Sequence, residues 1–166
     1  MLTADSQGIH AKLKKKDTSA MYKHILIATD GSELAQKGVD HGLSLAANLG
    51  AEVIVVTVTE PFPIYAGEGW ALGPNDFERY HADQTRYAQE LLDPIKASAE
   101  KLGVPCETHH VPQSRPAEAI LEVAAKKGCS LIVMASHGRR GLGRLFLGSQ
   151  TQEVVSRSSL PVLVVR

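Results

Sequence analysis

ILIATDGS, residues 25–32, joins an unbroken apolar run, Ile25-Leu26-Ile27-Ala28-Thr29, to the turn residues Asp30-Gly31-Ser32. A run apolar on both alternating faces suits a strand covered on both sides, and Asp-Gly-Ser both turns the chain and offers a hydroxyl to cap a helix. The next residues carry a helical pattern. Ala35, Val39, Leu43, Ala46 and Leu49 recur at helical spacing over 33–49, and Gly50 is placed to close that helix.

Outward from this unit the same alternation repeats. VIVVTV, residues 53–58, is β-branched throughout, as in a central parallel strand with helices on each side. A Gly/Pro-rich stretch then runs over 61–74 and holds the single tryptophan, Trp70. A connection this long without a secondary-structure signal is either a lid, a partner surface or a plain surface excursion. A second helix is expected from about Asp76 to Leu102, ended by Gly103, with Pro94 kinking or interrupting it.

Residues 104–111 read as a weaker strand, with Cys106, Thr108 and His110 on one face and Glu107 and His109 on the other. Such polarity suits a sheet edge. The neighbouring histidines point to opposite faces and cannot chelate one metal, so no metal site is expected. A third helix follows Ser114, with Pro116 in its first turn, Lys126 and Lys127 in its last and Gly128 at its end. Residues 130–135 form a buried strand. Ser149 and Gln152 spell an S-x-x-Q capping box for a fourth helix to about Ser158, and 161–166 supply the last strand.

Five strands alternating with four helices favour a doubly wound parallel sheet, in which ligands sit outside the carboxyl ends of the strands where the strand order reverses. At 166 residues, with 43% hydrophobic and 22% charged, the chain suits one globular domain. Residues 1–20, polar and basic around Lys14, Lys15 and Lys16, are expected to be a flexible extension of the domain at 21–166. The 18 basic and 18 acidic residues balance, which argues against a dedicated nucleic-acid binder. No apolar run reaches the roughly 18 residues needed to cross a bilayer, so no membrane role is expected. Cys106 and Cys129 lack CxxC spacing, and a reducing cytoplasm is the natural setting.

The chemistry is concentrated after the fourth strand, in Ser136-His137-Gly138-Arg139-Arg140-Gly141-Leu142-Gly143-Arg144-Leu145-Phe146-Leu147-Gly148-Ser149. The glycines let backbone N–H groups approach an anion, and a helix N-terminus with a hydroxyl completes a phosphate cradle. Each part also has a plain reading: a capping serine, turn glycines, solvated arginines. The loop is not a Walker A motif, since GxxxxGK[ST] is absent, and Gly141-x-Gly143 lacks the dinucleotide spacing.

At these residues the chain resembles the universal stress protein family. The resemblance rests on the segment ending at Asp30-Gly31-Ser32, the strand at 53–58, MASHGRRGLGRLFLGS at 134–149 and the closing PVLVV. The nucleotide-binding branch of that family carries G-x-x-G, nine residues, then G-[ST]. Gly138, the nine residues 139–147, Gly148 and Ser149 match in register, while Ala135 stands in place of the first glycine. The resemblance implies a five-stranded sheet of order 3-2-1-4-5 and an adenine nucleotide, ATP with or without Mg²⁺, as the ligand. It further implies that Asp30 accepts from the adenine or ribose edge and that the Val58 backbone meets the base. Gly138, Gly148 and Ser149 would hold phosphates, with Ala135, His137 and Arg139 completing the cradle. The last strand, 161–166, would pair two copies into a homodimer.

The expected function is that of a nucleotide-binding regulatory or stress-response protein. A slow ATPase or phosphotransferase is the enzymatic alternative, but the loop offers only His137 as a group titrating near neutrality and no catalytic residue is assigned. A dimeric interaction module without nucleotide is the other alternative, and Ala135 is the feature that favours it.

Overall fold

A computed structural model describes residues 21–61, 74–138 and 147–166. The extension at 1–20, Trp70 with most of the 61–74 connection, and Arg139, Arg140 and Arg144 lie outside the described residues. Nine elements follow one another as β1 (His24–Ala28), α1 (Glu33–Leu49), β2 (Glu52–Val58), α2 (Pro74–Lys101), β3 (Cys106–Val111), α3 (Pro116–Lys126), β4 (Leu131–Ala135), α4 (Ser149–Arg157) and β5 (Val162–Val165). The strands form one parallel sheet in the order β3-β2-β1-β4-β5.

Side-chain alternation divides the core between the two faces. Ile25 and Ile27, with Val53, Val55, Leu131 and Val133, pack under α1 and α2. Leu26, Ile54, Val56, Ile132 and Met134 face α3 and α4. Both faces of the central strands are buried, which is why their sequences read as continuous apolar runs. The polar strand β3 is an edge strand, where one face and one ladder side are less covered.

Local chemistry sets the ends of α1. The Ser32 hydroxyl accepts the Ala35 N–H at 3.2 Å, and Gly50, at φ 65°, closes the helix. Two other helices depart from the sequence expectation. α2 continues unbroken through Pro94, because Pro94 is exposed and the Glu90 carbonyl it leaves without a donor can be hydrated, while Ala88, Leu92, Ile95 and Ala99 keep the buried stripe intact. α4 is capped by Gly148 rather than Ser149: the Gln152 N–H bonds to the Gly148 carbonyl at 2.8 Å, Ser149 becomes the first helical residue, and no capping box forms.

Candidate functional site

β1 leads into α1 on one face of the sheet and β4 leads toward α4 on the other, so their carboxyl ends part at the point where the strand order reverses. A cavity of about 410 Å³ opens there, bounded by Asp30 after β1, Val58 at the end of β2, and Ala135, His137, Gly138, Gly148 and Ser149 from the β4–α4 connection. Its size falls within the range of small-molecule sites. Seven of the eight residues assigned from the sequence therefore meet at one cavity, and Arg139 lies outside the described residues.

Asp30 holds the turn after β1 and also reaches across to the β4 loop. One carboxylate oxygen accepts the Ser32 N–H at 3.0 Å, and the Asp30 carbonyl accepts the Tyr87 hydroxyl at 2.9 Å. The other carboxylate oxygen lies against Gly138, where a Cβ would sit only 2.5 Å from it. A glycine at 138 lets the carboxylate and the loop backbone share this space.

The stems of the loop are fastened to each other and to the sheet. The Ser136 N–H donates to the Val165 carbonyl at 2.7 Å, and the Gly148 N–H donates to the Ser136 carbonyl at 2.8 Å. The buried Thr151 hydroxyl donates to the Ala135 carbonyl at 2.9 Å. Ser136 Oγ and His137 Nδ1 share a hydrogen bond of 3.0 Å. The Gly148 amide is thus committed to closing the loop, and the donors that α4 presents to the cavity are those of its first turn, at Ser149 and Gln150, with the exposed Ser149 hydroxyl beside them. These groups carry the partial positive charge of a helix N-terminus.

Val58 owes its place to ladder alternation. The Thr59 N–H bonds to Val111 of β3 and the Val56 carbonyl to Thr29, so the intervening Val58 turns its backbone toward β1. The register of β1 with β2 stops at the Ala28–Val56 pair, which leaves the Val58 backbone facing the cavity. Ala135 is buried on the α1 face, continuing the alternation of Leu131 and Val133, and Gly38 of α1 packs closely over its backbone.

Several residues at the cavity escaped the sequence reading. Tyr80, Gln84 and Tyr87 of α2 form one wall, and their i, i+4, i+7 spacing is the signal that could have found them. The Gln150 carboxamide oxygen accepts the Ala117 N–H at 3.0 Å and so ties the first turn of α4 to that of α3. Thr59, itself buried, bonds to His110 of β3 at 2.8 Å. Burial holds the His110 imidazole below its ordinary range. The folded site therefore refuses a proton that the unfolded chain accepts, and the stabilisation is complete above the unfolded value and is lost as pH falls toward the folded one. Urea denaturation between pH 8 and 5 should show stability declining below about pH 6.5, with His110→Gln flattening that decline. A rise in stability on acidification over this range would contradict the assignment. Elsewhere, both cysteines are free thiols, and burial pushes Cys129 up to about 11, so it stays protonated at neutral pH. Among the described residues no group of three or more His, Cys, Asp or Glu side chains is placed to hold a metal ion, and no helix is long and apolar enough to cross a membrane.

The sequence model of the universal stress protein family matches residues 21–166. The chain belongs to this family. Among its relatives, the universal stress protein of the QAH/OAS sulfhydrylase 3′ region of Thermus aquaticus is 40% identical over 147 residues, covering 88% of this chain and 100% of that protein. The structure of MJ0577 of Methanocaldococcus jannaschii, also a universal stress protein, superposes with a TM-score of 0.73 at 31% identity, covering 87% of this chain and 96% of that one. A universal stress protein solved in complex with cAMP superposes with a TM-score of 0.62 at 26% identity, covering 89% and 98%. The two solved structures share the α/β fold described above.

Proposed function

We propose that this universal stress protein binds ATP at the carboxyl ends of β1, β2 and β4 and acts in the cytoplasm as a regulatory stress-response protein, as a homodimer joined through β5. One observation carries the reading. The Gly148–Ser136 hydrogen bond closes the loop and turns the first-turn amides of α4 into the same cavity that receives the Val58 backbone and Asp30. An anion held at the first end leaves a base to reach the second.

In this arrangement Ser149 gives an N–H and its hydroxyl to the phosphates, with the Gly138 and Arg139 segment closing over them and His137 beside them. Asp30 accepts from the adenine amino group or the ribose, and the Val58 backbone meets the base. Mg²⁺, where present, would travel with the triphosphate. The cAMP complex of a related protein supports an adenine nucleotide as the ligand class.

Dimerisation has separate support. β5 is the sheet edge opposite β3, and Leu163 is 39% exposed on it while Val155 of the neighbouring α4 is 43% exposed. A bare apolar edge is a hazard that antiparallel pairing with a second copy removes.

Isothermal titration of ligand-stripped protein with ATP and Mg²⁺ tests the reading. Saturable binding is the expected result, and no heat at millimolar ATP would defeat it.

A further inference from the structure

The α2 wall of the cavity has a chemical pattern of its own. The Tyr80 hydroxyl donates to the Glu60 carbonyl at 3.0 Å and the Tyr87 hydroxyl to the Asp30 carbonyl at 2.9 Å. Both tyrosines thereby fasten the helix across the carboxyl ends of β2 and β1. Gln84 lies between them on the same stripe, half-buried and lining the cavity. Among the described residues its carboxamide makes no hydrogen bond with the rest of the chain. One donor and one acceptor thus stand at the end of the cavity walled by α2, on the face of the sheet opposite α4.

That end is where a base must lie if the phosphates sit at α4, so the inference rests on the nucleotide reading above. We infer that Gln84 determines specificity for adenine. Its carboxamide oxygen can accept from the adenine N6 amino group while its NH₂ donates to N7, the complementary pair by which glutamine reads this edge. Guanine presents two acceptors, O6 and N7, on the same edge and would set O6 against the carboxamide oxygen. The tyrosines act through Gln84: with their hydroxyls committed to backbone carbonyls, they set its height rather than read the base.

The test titrates three ligand-stripped proteins, wild type, Gln84→Leu and Gln84→Glu, with ATP, GTP and inorganic tripolyphosphate. In Gln84→Leu, ATP should weaken by about tenfold or more while GTP and tripolyphosphate hold. In Gln84→Glu both nucleotides should weaken, GTP the more, because on this edge a carboxylate still accepts from the N6 amino group of adenine but meets only the acceptors O6 and N7 of guanine. Both substitutions keep a helix-forming residue at a partly exposed position, and matching thermal melts confirm an intact fold. If wild type binds ATP and the ATP-to-GTP ratio is unchanged in both variants, Gln84 does not read the base and the inference is overturned while the nucleotide site stands. If all three ligands weaken equally in Gln84→Leu, the residue shapes the wall only, and the inference is again overturned. A wild-type protein that binds none of the three removes the nucleotide site and this inference together.

Discussion

Gly148→Asp should abolish ATP binding and leave both the fold and the dimer in place. Position 148 is the N-cap of α4, at φ −59° and ψ 151°, a conformation open to any residue and one at which aspartate is a preferred cap. A Cβ there would meet His137 Cα and the Ser136 carbonyl at 3.4 Å, close contact but no clash. The new carboxylate would accept the first-turn amides of α4, the groups assigned to the phosphates, and would place a negative charge where the triphosphate must sit. Like charges opposed in a binding site cost several kcal/mol, or about a thousandfold in affinity. Stability should move by only a few tenths of a kcal/mol, since glycine and aspartate differ little at this position. Calorimetry with ATP and sedimentation of the same sample separate the outcomes. Affinity retained within about tenfold of wild type would show that the α4 amides are not the phosphate seat.

The same substitution bears on the choice between a nucleotide-binding protein and a purely dimeric module. β5 lies at the far edge of the sheet, and its exposed Leu163 is not part of the cavity lining. A variant that loses ligand and keeps its dimer would therefore separate the two surfaces, whereas coupled loss would make the cavity part of the assembly.

What could be read from the sequence was local. The Ser32 hydroxyl and Gly50 fix the ends of α1 within a few residues of themselves, so both ends were legible. The double-sided apolar runs of β1, β2 and β4 record burial on two faces, and the polar β3 records an edge. What was misread depended on contacts distant in the chain. S-x-x-Q at 149–152 has the form of a capping box, but the Gly148 N–H is drawn to Ser136, twelve residues earlier, and this sets the cap one residue before the serine. Pro94 leaves α2 uninterrupted because of the exposed face on which it falls, which the packing of Leu92 and Ile95 decides. The α2 wall was hidden for the same reason. Spacing puts Tyr80, Gln84 and Tyr87 on one stripe, but only the docking of α2 brings that stripe to the carboxyl ends of β1 and β2.

The largest stability effect is expected at Gly42, inside α1 and away from the ligand. A Cβ at this position would stand 2.4 Å from Ile27 Cδ1 and 2.8 Å from its Cγ1, with Val133 Cγ1 at 3.6 Å. Ile27 and Val133 are fully buried in the middle of the sheet, so there is no vacant side for them to move toward. An alanine on an exposed helix face would gain about 1 kcal/mol over glycine from backbone entropy. Here overpacking opposes that gain, and Gly42→Val, which adds two further methyl groups at the same contact, should lose about 3 kcal/mol. For a domain of this size that corresponds to a fall in Tm of about 6–12 °C. ATP affinity should fall as well, because the same helix begins at the Asp30 turn and packs Gly38 onto the backbone of Ala135. Shortening Ile27 isolates the cause. Ile27→Val alone should cost about 1 kcal/mol, but it removes the Cδ1 that the new Cβ strikes, so Gly42→Ala should be better tolerated in that background than in wild type. Additive losses in the double mutant, measured by urea denaturation, would mean that the close approach of α1 to β1 is not what glycine serves at this position.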